Sequence, residues 1–359
     1  MVSAKTKILV LAGGNSGEHS ISLRSAATVC DALEAAGFEV VMAAISRGGA
    51  FLSDDFRPLL ARARTELCEV GDTDGVPCAL FQDAAGARLV SDTGDTLATV
   101  SAVFPVLHGP GGEDGKIQGL LESVGVPFVG AGTAASAMAM DKLAMKYMCD
   151  GAGIPQVEFL DACGEDAAAL GERIANSFGY PCFVKPANLG SSVGISRVTD
   201  AGGIEAALTE ARKWDPRVVV ERAVDAREIE LALLGDTEPE ISPPGEIVSP
   251  GGFYDFDSKY VDDSAELIAP ADLTADTLSA LHATARRVWK LVGCSGMARA
   301  DFFVEKSTGT VLFNELNTIP GFTEISMYPR LWGVAGLALP QLVRRLVELA
   351  RAEASERLA

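Results

Sequence analysis

The run Lys7 to Ala12 (KILVLA) is continuously apolar, has β-branched members and ends in Gly13-Gly14, the pattern of a strand buried on both faces. SISLRSAATVCDALEAAG follows with helical apolar spacing and a glycine stop, and EVVMAAIS is a second apolar run. Strand, loop, helix, strand is the grammar of a parallel βαβ unit. Its loop, Gly13 to Ser22, lies at the carboxyl end of the first strand, where ligands of open α/β sheets bind. Residues 51 to 100 read as an irregular, acidic excursion. TVSAVFPVLHG then predicts another buried strand and IQGLLESVG its helix.

Near Gly130 a second segment begins. GTAASAMAMDKLAMKYMCDGAGIP predicts a helix with small-residue spacing and a Gly and Pro stop. YPCFVKP and VGISRV are short strands around the loop Ala187 to Ser192, and VVVERAV is a strand that stays apolar up to Glu221. The third segment carries the strand EIELALLG, the insert GGFYDFDSKYVDDSAELIAP and the helix TLSALHATARRVWKLVG. Two strands, MARADFFVE and TGTVLFNELN, and one final helix, GVAGLALPQLVRRLVELARAEASERL, complete it. No internal repeat is visible.

The 359 residues suit two or three domains, and 48% hydrophobic residues are enough to build large cores. With 49 acidic against 30 basic side chains the formal charge is −19, which argues against an extended grip on nucleic acid or on an anionic membrane. Seven cysteines without a CxxC pair suit reduced thiols, and three histidines leave carboxylates and amides as the ligands of any metal, which would be a hard cation. No signal peptide and no membrane-spanning run is present, so the expectation is a soluble, cytoplasmic protein.

The last two strands hold the densest chemistry. Alternation puts Arg299 and Asp301 on one face, and Glu315 and Asn317 on the matching face of the neighbouring strand. A hairpin about Lys306-Ser-Thr-Gly309 brings Asp301 to within about one residue of Glu315. That cluster is either a solvated polar face or a site for Mg²⁺ bound to nucleotide phosphates. Lys185-Pro-Ala-Asn-Leu-Gly-Ser-Ser192 is either a turn or a small-residue loop that lets backbone N–H groups approach an anion. Lys142 is a helix-surface cation, or its partner in binding phosphate. Glu221 and Glu228 are solvated strand ends, or acceptors for an adenine amino group and ribose hydroxyls. Glu18 caps a helix or holds a substrate ammonium. His108 is a satisfied loop histidine or a site residue, and Glu113-Asp114 reads as a polar turn. The insert containing FYDFDSKYVDDS is too long for a tight turn and suits a lid that excludes water.

Taken together, GGNSGEHSISLRSA, VLHGPGGEDGKIQGLLE, GAGTAASAMAMDKLAMK, FVKPANLGSSVGISRV, FYDFDSKY and MARADFFVEKSTGTVLFNELNTIPGFTEISMYP resemble the D-alanine:D-alanine ligase family of the ATP-grasp superfamily. The resemblance implies a three-domain ATP-grasp architecture of α/β and α+β class. It would comprise an N-terminal parallel-sheet (preATP-grasp) domain at 1–130, a central subdomain at 131–221 and a C-terminal subdomain at 222–359, with a lid at about 250–270. It implies ATP on Lys142, Lys185, Ser192 and Asn314, adenine on Glu221 and the Ala223-Val224 backbone, and ribose on Glu228. Two Mg²⁺ ions, replaceable by Mn²⁺, would lie on Asp301, Glu315 and Asn317. Glu18 would hold the first substrate's ammonium, and Ser326 with Met327 the second substrate's carboxylate. Arg299 and the Gly321 N–H would form the oxyanion site, with His108 also facing substrate. Lys259 would lie near the phosphates, and Tyr260 would point toward Ser191 and Glu18, a residue that favours D-alanine over D-lactate. A homodimer serving peptidoglycan synthesis is the implied setting. The rivals are a D-alanine:D-lactate ligase, another ATP-grasp carboxylate–amine ligase, and a nucleotide-binding regulator with a dead site.

Overall fold

The computed structural model describes residues 5–83, 86–248 and 266–357. Three sheets organise it. The first begins with β1 (Lys7–Gly13), α1 (His19–Ala35) and β2 (Glu39–Ile45), the expected βαβ unit, with β1 and β2 parallel and Ile8 opposite Val40. It continues through β3 (Phe51–Ser53), α2 (Arg57–Ala63), β4 (Val76–Asp83), β5 (Gly86–Ser91), β6 (Thr96–Val100), β7 (Ala102–Pro105) and α3 (Lys116–Val124). The strand order is β6-β5-β4-β3-β2-β1-β7, and β7 lies parallel to β1.

The reading of residues 51 to 100 as an irregular excursion is corrected here. β3 to β6 form an antiparallel extension of the sheet. Only one face of this extension packs inward, so Leu89 is buried while Phe81 and Leu97 are exposed, and the apolar runs are too interrupted to read as core strands. The run TVSAVFPVLHG is likewise two strands, β6 and β7, divided at Ser101, whose N–H donates to the Lys7 carbonyl at 2.8 Å.

The second sheet has the order β10-β9-β11-β8. Before it come α4 (Thr133–Met140) and α5 (Lys142–Gly151), then β8 (Phe159–Asp161), α6 (Ala167–Ser177), β9 (Cys182–Pro186), β10 (Ser196–Val198), α7 (Ile204–Arg212) and β11 (Val218–Arg222). The single helix expected from residue 131 onward is therefore two. Asp141 interrupts it with an extended backbone (φ −83°, ψ 101°), and its carboxylate caps α5 by accepting the Ala144 N–H at 3.0 Å. This break makes Lys142 the first residue of α5, where its own N–H donates to the Ala187 carbonyl at 3.0 Å.

The third sheet contains β12 (Ala226–Gly235), β13 (Pro239–Ile241), β14 (Gly245–Val248), β15 (Glu266–Ile268), β16 (Gly296–Glu305) and β17 (Val311–Asn317). Against it lie α8 (Ala275–Val292), α9 (Met327–Val334) and α10 (Leu339–Arg357). The expected final helix is also two, because Gly336 takes φ 87° and ends the first, and Pro340 opens the second. α10 returns to the first sheet: Leu342, Val343, Leu346 and Val347 share one core with Leu23, Ala26 and Leu33 of α1. No helix among the described residues is long and apolar enough to cross a membrane.

Candidate active site

A cavity of about 280 Å³ opens where the three sheets face one another. Its third-sheet wall is built from β12, β16 and β17. Glu230, Asp301 and Glu315 stand in one row across these strands, and Arg299 and Asn317 stand opposite each other in the next row on that face. The hairpin about Lys306 to Gly309 thus brings Asp301 and Glu315 together, which the sequence leads one to expect to within about one residue. A bulge lies in it: Asp301 opposes Glu315, but Phe302 opposes Phe313, so Asn314 is the extra residue of β17. The bulge lets Asn314 and Glu315 both face the cavity while Phe313 and Leu316 stay in the core.

Three acids in one row are costly to bury without cations. Arg299 answers two of them, its Nε lying 2.7 Å from Asp301 Oδ1 and 3.2 Å from Glu230 Oε1, and its Nη2 2.7 Å from Asp301 Oδ2. Burial opposes the Arg299 charge, but Asp301 and Glu230 outweigh it and hold the guanidinium above its ordinary range. As a divalent-cation site the wall offers only oxygen. Asp301, Glu315 and the buried Asn317 Oδ1 line the cavity, and this amide oxygen has no hydrogen-bond partner among the described residues. No group of three His, Cys, Asp or Glu among the described residues converges on a metal position by itself. The donor set fits a hard cation that takes the rest of its shell from phosphate oxygens and water.

The opposite wall carries cations. Lys185 on β9 donates to Glu221 Oε2 at 2.6 Å, and Lys146 on α5 lies 3.1 Å from Oε1 of the same carboxylate. All three side chains are nearly excluded from solvent, with Lys146 at 4%, Glu221 at 5% and Lys185 at 11% exposed. Burial alone would raise the Glu221 carboxyl, but the two ammonium groups pull it down to about 2. Lys146 also sits 5.4 Å over the Phe159 ring. Lys142 Nζ donates to the Leu189 carbonyl at 2.6 Å, which ties it to the loop between β9 and β10. In that loop Ser191 and Ser192 take φ values of 51° and 59°, a left-handed backbone that costs non-glycine residues about 1–3 kcal/mol each.

The first sheet closes the cavity from the third side. Glu18, at the N-cap of α1, accepts a hydrogen bond from Ser191 Oγ across 173 residues of sequence. Gly109 lies beside it: a Cβ there would come within 2.6 Å of Glu18 Oε2, so only glycine leaves the carboxylate its place. Glu113 Oε2 accepts the Gly109 N–H at 2.7 Å, while its other oxygen has no partner among the described residues. Burial first, and then the Glu18 charge, raise the Glu113 carboxyl well above the usual range. His108 is buried, with Nδ1 3.2 Å from the Ile319 carbonyl and Nε2 3.0 Å from Ser25 Oγ, and burial lowers its pKa to about 4.

Of the residues singled out in the sequence, Glu18, His108, Lys142, Lys185, Ser191 and Ser192 line this cavity from the first two sheets and their loops. Glu221, Val224, Glu228, Arg299, Asp301, Asn314, Glu315 and Asn317 line it as well, together with Gly321, Ser326 and Met327. Ala223 does not, and its N–H is spent on the Pro181 carbonyl at 3.1 Å. Lys259 and Tyr260, with the core of the expected lid, lie outside the described residues. Lys146, Glu230 and Ser25 are not among the residues singled out above, and Glu113, which reads in the sequence as part of a polar turn, lines the cavity. Lys146 stands one helical turn from Lys142, and Glu230 alternates with Glu228, so both carried a signal in their spacing.

Two family models match the chain: the D-ala D-ala ligase N-terminus over residues 7–131 and the D-ala D-ala ligase C-terminus over residues 148–348. The chain is 42% identical to a D-alanine–D-alanine ligase of Caldicellulosiruptor bescii, covering 96% of this chain and 95% of that one. It is 43% identical to one of Deinococcus radiodurans, covering 97% and 99%. Among solved structures it is similar to the D-alanine-D-alanine ligase from Coxiella burnetii, with a TM-score of 0.85, 34% identity and coverage of 99% and 97%. It is also similar to the VanG D-Ala:D-Ser ligase from Enterococcus faecalis, with a TM-score of 0.83, 33% identity and coverage of 96% and 99%. The fold is therefore the ATP-grasp fold. Two models in chain order and relatives aligned along nearly their whole length lead to one conclusion: this chain belongs to the D-alanine–D-alanine ligase family.

Proposed function

We propose that this chain joins two D-alanine molecules into D-alanyl-D-alanine with conversion of ATP to ADP and phosphate, for peptidoglycan precursor synthesis. The observation that carries the reading is the convergence on one cavity of lysines from the second sheet, the Arg299 cluster from the third and Glu18 from the first.

A carboxylate oxygen is a poor leaving group, and an amine will not displace it. Transfer of the γ-phosphoryl group to the first D-alanine gives an acyl phosphate, and the neutral amine of the second D-alanine attacks its carbonyl carbon. The tetrahedral intermediate then loses one amine proton, expels phosphate and leaves the peptide bond, the proton passing to phosphate or water. Lys142 and Lys185, with Ser192 and Asn314, hold the nucleotide phosphates. Glu221 and the Val224 backbone read adenine, and Glu228 holds ribose. Glu18 binds the first ammonium, and the N-terminus of α9 at Ser326 and Met327 receives the second carboxylate. Arg299 and the Gly321 N–H meet the oxygen that becomes negative. Asp301, Glu315 and Asn317 would hold two Mg²⁺ ions, or Mn²⁺, whose chemistry is to neutralise phosphate charge. Lys259 and Tyr260 complete the reading as part of a lid over the acyl phosphate, with Tyr260 directed toward Ser191 and Glu18, His108 borders the substrate, and the setting is a cytoplasmic homodimer.

The test is a panel of D- and L-amino acids, with D-lactate included, incubated with ATP and Mg²⁺ while ADP and product are measured. D-Alanine alone should give both ADP and dipeptide. The similarity to a D-Ala:D-Ser ligase makes D-serine the competing second substrate, and a product containing serine or lactate in preference to a second alanine would overturn the assignment.

A further inference from the structure

Three bonds join the first sheet's helix to the segment that carries Gly321. Ser25, on α1 and fully excluded from solvent, has its Oγ 3.0 Å from His108 Nε2 and 3.3 Å from the Phe322 N–H. His108 Nδ1 lies 3.2 Å from the Ile319 carbonyl. The directions follow from the groups themselves. A carbonyl only accepts, so Nδ1 carries the ring proton and donates it to Ile319; Nε2 must then accept, and the one hydroxyl proton of Ser25 supplies it. The lone pairs of Ser25 Oγ remain to receive the Phe322 N–H. Every donor has an acceptor, and the imidazole is a single neutral tautomer.

The two ends of this chain of bonds bracket Gly321, at Ile319 on one side and at Phe322 on the other. Phe322 is further wedged edge-on against Phe104 of β7, with ring centroids 5.8 Å apart. We propose that Ser25 and His108 act together as a clasp, as positioning residues that aim the Gly321 N–H at the reacting carbonyl oxygen. The proposal rests on the reading of Gly321 as an oxyanion donor given above. It gives α1, an element with no other place in the chemistry beyond its cap at Glu18, control of a donor belonging to the third sheet. A donor of this kind works only if its direction is fixed before charge develops. The clasp supplies that fixity from a helix that is itself packed against β1.

The test uses the full-length enzyme and reads kcat for dipeptide synthesis, KM for D-alanine and Kd for ATP by calorimetry. Ser25→Ala should lower kcat at least about tenfold and leave Kd for ATP within about twofold, because only the oxyanion donor is released. Ser25→Cys, which keeps a weak donor and stands in should the alanine variant fail to fold, should recover part of the loss. His108→Gln should cost about as much as Ser25→Ala, and the double variant no more than the worse single one, as expected of residues acting as a unit. Wild-type kcat in Ser25→Ala, strictly additive losses, or a fall in kcat matched by an equal loss of ATP affinity each overturn the clasp. A wild-type enzyme that binds ATP but forms no dipeptide is a different result, visible before any variant is made, and it overturns the functional reading and this proposal together.

Discussion

Arg299 lays its guanidinium across both carboxylate oxygens of Asp301, two residues along the same strand, at 2.7 Å in each bond. Asp301 is buried, Arg299 is largely so, and the guanidinium carries a second acid, Glu230, on the same Nε. One cation thus serves two structural acids while facing the cavity in which negative charge develops.

Replacing Arg299 tests both duties. Arg299→Ala should reduce dipeptide synthesis by about 10²-fold or more, with a smaller effect on ATP binding. Leaving Asp301 and Glu230 buried without their cation should also destabilise the fold by about 3–5 kcal/mol in urea titration. Arg299→Lys keeps the charge but not the fork, so it should restore stability further than turnover. Turnover near the wild-type value in either variant contradicts the assignment.

The Lys146–Glu221–Lys185 triad makes a second prediction. Two ammonium groups on one carboxylate leave a buried net positive charge beside the lysine proposed to face phosphate. Lys146→Met keeps the volume, removes that charge and leaves Glu221 paired with Lys185 alone. KM for ATP should rise about tenfold, about 1.4 kcal/mol of binding, while KM for D-alanine stays within about twofold. Equal change in both constants would mean that Lys146 merely supports the fold.

Gly321 offers a steric test. A Cβ at this position would lie 2.8 Å from Ser326 Oγ, which accepts the Thr323 N–H at 2.9 Å and cannot retreat without losing it. Gly321→Ala should therefore lower kcat about tenfold or more by turning the donor away from the carbonyl. Steady-state kinetics at saturating ATP would reveal it, and an unchanged kcat would remove Gly321 from the oxyanion site.

Acid should loosen the molecule before it reaches the carboxylates. Burial first holds His108 at about 4 in the folded chain against an ordinary 6.5, with the Ile319 carbonyl opposing it. The unfolded state then binds the extra proton between these values. Stability is fully present above about pH 6.5 and is lost as pH falls through about 4, by about 3 kcal/mol for this group. His19 and His282 are lowered by burial as well and act in the same direction. Glu221 contributes later, with stability present above its ordinary 4.5 and lost as pH falls toward about 2. Urea midpoints measured from pH 8 to pH 4.5 in a Glu113→Gln variant, which removes the opposing contribution of that raised carboxyl, should decline mainly below 6.5, and a flat profile there would be incompatible with a buried neutral His108.

Much of the site could be read in the sequence because its chemistry sits on regular strands. Alternation and one hairpin turn bring Asp301 to within about one residue of Glu315, and in the structure the two are direct partners. The bulge at Asn314 could not be read in this way, since an extra residue in one strand alters the ladder without altering the spacing of side-chain types. Asp141 reads as a helix residue because helical spacing continues on both sides of it, yet its carboxylate begins a new helix and thereby places Lys142. The antiparallel strands after residue 75 were hidden by their one-sided burial. Ser25 had no local signal at all, as its partners lie 83 and 297 residues away.

The return of α10 to α1 bears on how the molecule is made. The apolar stripe of α1 is completed by Leu342, Val343 and Leu346 of α10, from the far side of the second and third sheets in chain order. A nascent polypeptide that has already formed its opening βαβ unit must carry an uncovered greasy surface until α10 has been made. Translation up to that helix is thus the interval in which the first half is most exposed to aggregation, and a stop codon ahead of Leu342 would leave its surface bare.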